Sequence, residues 1–438
     1  MGKNNYSKKT KDDLLNIINF INNNSSIFVK NPSSDFTRNR KMNLGDTLKT
    51  MLSMEGGSLK AELLKTSKYD INLISSPGFS QQREKIKLNT FEFLFNEYTK
   101  TIRCNKTYNG YKILACDGSV LNIAHNPNDK LTYINPTKKG AKGHNSLHLN
   151  ALYDVMNNIY IDSIIQDIKQ SNEKEALNIM LNRYNNQNNK TIIVADRGYE
   201  SYNTFAHLIE NDFKFIIRAK DISSNGILSS LNLPNEEFDK TFSFTLCSSR
   251  AKEYKENIYN YKYVEKENFD YKVNDIVIYP IKFRVIRFKI SNNNYECIIT
   301  NLNSIKFPPN KIKELYHLRW GIETSFRELK YNIGIINFHS KKKEFVKQEV
   351  FIKLTMYNMC QAIMQQVVIK QRNTKYNYKI NATIAFQLCK QYFREKRFSI
   401  KRLTTLICKN LEAIRPDRKD ERKIKPKNSI SFTYRVAA

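Results

Sequence analysis

The 438-residue chain has no apolar run near the ~18 residues needed to span a bilayer. Its most apolar long segment, Phe345 to Ile369, is broken by Lys347, Lys353 and Asn358, and no apolar stretch follows the basic start as a secretory leader would. The seven cysteines, Cys104, Cys116, Cys247, Cys297, Cys360, Cys389 and Cys408, are odd in number, scattered and without a CxxC pair. That pattern excludes a disulfide framework or a thiolate zinc site, and predicts buried thiols in a reducing cytoplasm. Histidines are also scarce. His144 and His148 stand four apart, but in a segment that reads as the start of a strand, so no ligand role is assigned to them; His125, His207, His317 and His339 form no set. No internal repeat is found. The largest deficit is of acidic residues: 42 Asp and Glu against 72 Lys and Arg leave a net charge of +30. Such a surplus predicts a polyanionic partner, nucleic acid before a membrane surface. The richness in Lys, Asn, Ile and Tyr together is also the bias of an AT-rich coding sequence, yet surface lysine attracts phosphate whatever its origin.

What is present argues for a folded protein of several domains, with 40% hydrophobic and 12% aromatic residues. Residues 1–100 read as helical and basic, with amphipathic runs at Lys11–Asn22, Leu44–Met54 and Leu59–Lys65. Beyond Ser75, a further helix is expected to present Ser80, Gln81 and Arg83 outward, as a recognition helix or as one more packing helix. Arg38 and Arg40, in a basic run, are candidate phosphate contacts. Strands follow at Lys112–Cys116, Leu147–Val155, Ile159–Ile165, Thr191–Ala195 and Phe213–Arg218, with helices at Glu173–Tyr184 and Ser201–Asn211, the pattern of an α/β mixed sheet faced by helices. The first part of this core is assigned to 101–222, a β-rich insertion to 223–300, the second part of the core to 301–370, and a helical C-terminal region with a basic tail to 371–438.

Lys311 to Tyr331 reads as one long helix whose chemically useful residues share a side. At ~100° per residue, Tyr316, Arg319, Glu323 and Lys330 fall within a stripe only ~60° wide, while Leu315, Leu318, Ile322, Phe326 and Leu329 take other angles. One carboxylate therefore shares a face with two cations and a phenol. Two more carboxylates, Asp117 in Cys116-Asp117-Gly118-Ser119 and Asp196 in Ala195-Asp196-Arg197-Gly198-Tyr199, are each expected to end a strand at a glycine-containing turn. Three carboxylates brought together repel one another unless a cation neutralises them. Oxygen-only donors select Mg²⁺, with Mn²⁺ able to substitute, and two such ions suit in-line phosphoryl transfer without a side-chain nucleophile. Arg319, Lys330 and Tyr316 are then candidates for the flanking phosphates. Trp320 is a candidate to stack on a base or to pack half-buried, and Arg197 to touch DNA or stand as an exposed arginine. Gly321, costly inside a helix, suggests the close approach of another helix or of DNA.

The spacing Tyr316-x2-Arg319-x3-Glu323-x6-Lys330 resembles the YREK signature of bacterial DDE transposases of the insertion sequence four family, and Asp117 and Asp196 look like that family's first two acids. The resemblance implies a ribonuclease H-like, retroviral-integrase-like core interrupted by a β-rich insertion. It implies Mg²⁺-dependent cleavage at transposon terminal inverted repeats, strand transfer into target double-stranded DNA, cut-and-paste movement through hairpinned ends, and a homodimer that synapses two ends in the bacterial cytoplasm at the nucleoid. The alternatives are a domesticated or inactive relative that only binds DNA, and a general nuclease on the same fold.

Overall fold

Short polar side chains cap several of the helices. The structure, a computed structural model, describes residues 3–38, 41–136, 142–186, 190–231, 233–249, 251, 257, 260–291, 294–371 and 375–415. The basic tail beyond Arg415 and the candidate Arg40 lie outside the described residues. The chain opens with α1 (Lys3–Asn23), α2 (Ser25–Phe28), α3 (Leu44–Ser53), α4 (Leu59–Thr66), α5 (Ser76–Glu84) and α6 (Leu88–Thr101). Asn43, Ser58 and Ser75 accept backbone N–H bonds from Asp46, Ala61 and Gly78, satisfying donors that a helix start otherwise leaves bare.

The sheet comprises β1 (Lys112–Ile123), β2 (Tyr133–Ile134), β3 (His144–Asp154), β4 (Ile159–Asp167), β5 (Thr191–Ala195), β6 (Lys214–Ala219), β7 (Phe238–Cys247), β8 (Tyr261–Tyr263), β9 (Ile278–Ser291) and β10 (Asn294–Thr300), with α7 (Glu173–Arg183) and α8 (Tyr202–Glu210) between strands. The spatial order is β2-β3-β1-β5-β6-β10-β9-β7-β8, with β4 on β3. β1, β5 and β6 run parallel at the centre, and β5, the run TIIVA, is buried throughout, as expected of a strand covered on both faces. The β-rich stretch joins the same sheet, because β10 pairs antiparallel with β6. The fold is thus a mixed α/β arrangement around one large sheet.

Alternation along β1 sorts the core. Leu114 and Cys116 pack with Leu177, Phe205 and Phe215 under α7 and α8, whereas Ala115 packs with the helical cluster on the opposite face. That cluster is centred on α11 (Lys343–Met364), which is buried nearly all round between α6, α1 and β4 and carries Gln348, Glu349, Lys353 and Asn358 among its buried residues. β11 (Tyr378–Ile380), α12 (Ala382–Arg394), α13 (Ile400–Lys409) and β12 (Leu411–Ala413) complete the described chain.

Three expectations are corrected. β1 does not stop at Cys116 but runs on to Ile123, because β3 keeps pairing with it after β5 has ended. The helix over 311–331 is two helices, α9 (Pro309–His317) and α10 (Trp320–Glu328), followed by a π-helical turn at Leu329–Ile333. At the joint, the N–H groups of Leu318, Arg319, Gly321 and Ile322 bond to carbonyls three residues back, which tightens the winding, so a single angular wheel does not describe the stripe. Finally, Arg83 does not face outward. At 2% exposure it donates to Gln348 Oε1 and Glu349 Oε1, each at 2.8 Å, and to the Phe345 carbonyl of α11. Gln82 beside it is buried as well, and Gln81 alone of the pair is exposed.

The thiols follow expectation with two exceptions: Cys104 is half-buried and Cys408 exposed, while the other five are buried. Among the described residues no helix is long and apolar enough to cross a membrane.

Candidate metal centre

Asp117 and Asp196 become neighbours through strand register. β1 and β5 pair in parallel up to Cys116 and Ala195, so the next residue on each strand is an acid. Because Cys116 and Ala195 face α7 and α8, the alternation turns Asp117 and Asp196 to the other face, where α9 and α10 lie. Each carboxylate is held locally: the Gly118 N–H donates to Asp117 Oδ1 and the Gly198 N–H to Asp196 Oδ1, both at 2.8 Å. Asp196 also caps the short turn Arg197–Tyr199.

The third acid arrives on the first turn of α10. Arg319, 7% exposed at the joint before it, donates to Glu323 Oε1 at 2.7 Å and lies 3.8 Å from Asp117 Oδ2. One guanidinium thus bridges two carboxylates. Burial pushes the Asp117 carboxyl up to about 6; Asp196 and Glu323 add to the rise, while the Gly118 N–H and Arg319 oppose it. Burial works against the Arg319 charge, but Tyr316, Glu323 and Asp117 outweigh it and hold that group above its ordinary value. The guanidinium also lies over the rings of Tyr316 and Trp320, at 5.7 and 5.5 Å.

Among the described residues no three His, Cys, Asp or Glu side chains are gathered closely enough to hold a metal ion as they stand. Arg319 lies within ion-pair distance of both Asp117 and Glu323. The donor set is nonetheless of the kind a hard divalent cation takes: carboxylate oxygens on one face, with burial first and the neighbouring acids after it raising Asp117.

The other stripe residues separate. Tyr316 is buried in the small core under α9, its hydroxyl without a hydrogen-bond partner among the described residues, and burial raises its pKa. Lys330 is half-buried on the π-helical turn, with its pKa lowered by burial and no ion pair among the described residues. Trp320 is 54% exposed. The neighbour at Gly321 is neither a helix nor DNA but the end of β3 and the residue after it: an added Cβ would meet Val155 at 3.4 Å and Tyr153 at 4.0 Å, ordinary contacts. Arg197 is exposed and lines a cleft of about 670 Å³ with Arg218, Lys220 and Tyr295. Arg38 is exposed and remote in sequence from this centre, and Arg83 is withdrawn from solvent altogether.

Sequence reasoning missed Glu173 and His148. Glu173 Oε1 lies 3.1 Å from His148 Nε2, and an added Cβ on Gly118 would strike both residues, at 2.4 Å from Glu173 Oε1 and 2.3 Å from His148 Cε1. The one available signal was a carboxylate opening the first helix after the β3–β4 meander, just behind the capping Asn172. The spacing of His144 and His148 pointed elsewhere, because their importance lies in strand register, not in a helical i, i+4 pair.

Residues 108–359, more than half of the chain and a window containing all three acids, match the family model described as a transposase DDE domain. No curated protein matches the chain. Among solved structures, a cryo-EM structure of a piggyBac transposase synaptic complex with hairpin DNA is similar over 96% of this chain and 88% of that chain, with 10% identity and a TM-score of 0.46.

Proposed function

Because this chain belongs to the transposase DDE family and is a DNA transposase, we propose that Asp117, Asp196 and Glu323 are its metal-holding acids, and that with two Mg²⁺ ions, or Mn²⁺ in their place, it cleaves DNA at transposon ends and transfers those ends into target DNA. The observation that carries this reading is the pairing of Asp117 and Asp196 at adjacent parallel strands, with Glu323 joined to Asp117 through Arg319. Two such ions, when bound, activate a water or a 3′-hydroxyl and stabilise the leaving oxygen in an in-line displacement. The chain's own groups do the rest. The N–H donors of Gly118 and Gly198 fix the carboxylates before any ligand arrives. Arg319 neutralises the acids in the free protein; in the bound protein its guanidinium is released to a phosphate flanking the scissile one. Lys330, with no acid partner among the described residues, supplies a second phosphate contact, whereas Tyr316, its hydroxyl buried under α9, keeps a packing role. Trp320 offers an exposed ring for stacking on a base. Arg197 lines a cleft beyond the acids with Lys220 and with Arg218, which is paired with Glu296.

The finer reading is a ribonuclease H-like core, membership of the insertion sequence four family on the strength of the Tyr316, Arg319, Glu323 and Lys330 spacing, and a homodimer that pairs two ends. Glu323→Gln is expected to abolish cleavage of an end-bearing duplex in Mg²⁺ while leaving its binding within a few fold. Full cleavage by that variant would overturn the assignment of the acids.

A further inference from the structure

The glycines that follow the two aspartates are both touched by a single side chain from the opposite face of the sheet. Gly118 donates its N–H to Asp117 and Gly198 donates its N–H to Asp196. Glu173 Oε1 lies 2.4 Å from where a Gly118 Cβ would stand, and at Gly198 an added Cβ would meet Asp196 Oδ1 at 3.0 Å and Glu173 Oε2 at 3.3 Å. One carboxylate from the first turn of α7 therefore reaches both glycines, one oxygen to each. It is anchored by His148, whose Nε2 is 3.1 Å from Oε1. His148 sits opposite Val120 in the β1–β3 ladder, two residues from Gly118; it is buried, and its Nδ1 has no partner among the described residues.

We propose that His148 and Glu173 are a positioning pair that sets the spacing of Asp117, within strand β1, and Asp196, at the turn after β5. The pair does not touch the reacting atoms. It braces the backbone at Gly118 and Gly198, so that their N–H groups present both carboxylates at a fixed separation to an incoming cation. Gly118 is required because any side chain there would expel the brace. Second-layer contacts of this kind typically alter metal affinity by 10–100-fold when removed. The proposal rests on the reading of Asp117 and Asp196 as metal-holding acids.

The test is calorimetric titration of the free full-length protein with Mn²⁺, alongside binding of an end-bearing duplex, thermal unfolding and cleavage. Glu173→Ala is expected to lower Mn²⁺ affinity about tenfold or more, with cleavage falling in parallel and duplex binding unchanged. Glu173→Gln, which keeps the span across both glycines and a hydrogen-bonding group toward His148, is expected to recover most of the lost affinity. His148→Ala, which leaves Glu173 in place but unanchored, should give an intermediate loss and serves as the working variant if Glu173→Ala does not fold. Equal Mn²⁺ affinity in wild type, Glu173→Ala and His148→Ala would overturn the proposal. So would a Glu173→Gln variant as impaired as the alanine, since charge and not bracing would then be what matters. A wild-type protein that cleaves DNA but takes up no Mn²⁺ would instead remove the metal reading of the aspartates, and the brace with it.

Discussion

Arg319 shows how far a residue's role depends on which of its neighbours are charged. Sequence spacing put it beside Glu323, and that pairing is present at 2.7 Å. Spacing said nothing of Asp117, which reaches the same guanidinium from another element. A cation in that position competes with a divalent metal for the same oxygens. Arg319→Ala is therefore expected to raise the Mn²⁺ affinity of the DNA-free protein several-fold while lowering end cleavage, and titration with and without an end duplex checks both effects. Unchanged metal affinity would show that the guanidinium does not occupy the cation's place. By reciprocity of linkage, DNA that draws Arg319 away must favour metal binding in the wild type, and this coupling should vanish in the variant. The three acids of the proposed centre could be picked out because each sits in a local pattern of a few residues. Glu173 was not, since what marks it is two missing side chains, at Gly118 and Gly198, on other segments.

At the level of elements, the sequence periods located most helices and strands to within a few residues: Thr191–Ala195 was read as a strand, and Leu44–Met54 corresponds to the helix Leu44–Ser53. They failed where tertiary bonds decide the outcome. β1 runs past Gly118 because β3 pairs with it, and the 311–331 helix breaks at a joint of i→i−3 bonds that no periodicity encodes. The outward reading of α5 holds at Gln81 and fails at Arg83, to which α11 supplies a buried partner. Breaking that pair by Arg83→Ala leaves the buried Glu349 with His339 alone and is expected to cost about 3–5 kcal/mol in denaturant unfolding. The same pair makes the N-terminal helices acid-sensitive. Burial opposes the Glu349 charge, but Arg83 and His339 outweigh it and bring the carboxyl down to about 2, from 4.5. A depressed carboxylate contributes stability in full above its unfolded pKa and loses it as pH falls toward the folded one, so on the order of 3 kcal/mol should disappear between about pH 4.5 and 2. Acid unfolding followed in wild type and in Glu349→Gln checks this, the variant being expected to lack that part of the transition.

For the whole molecule, the charge of +30 was legible from composition alone and agrees with a DNA partner. How that charge is divided among folded surface and tail is not in the composition. Lys330, half-buried and without an acid partner among the described residues, is expected to contribute one phosphate contact: Lys330→Ala should reduce the slope of log affinity against log salt by about 0.9 on an end duplex. An unchanged slope would place Lys330 away from the DNA backbone. The length of β1 has a different consequence. From Asp117 to Ile123 it has β3 on one side and, among the described residues, no strand on the other, since β5 has already ended, and Val120 on this stretch is exposed. A bare strand edge invites a stray chain to pair with it, and proteins blunt such edges with charge or with a covering helix. Here α10 packs on β1 and brings Arg319 and Glu323 to Asp117. The charges gathered for chemistry therefore also stand where that edge begins, so that emptying the centre of charge is expected to favour aggregation as well as to stop cleavage.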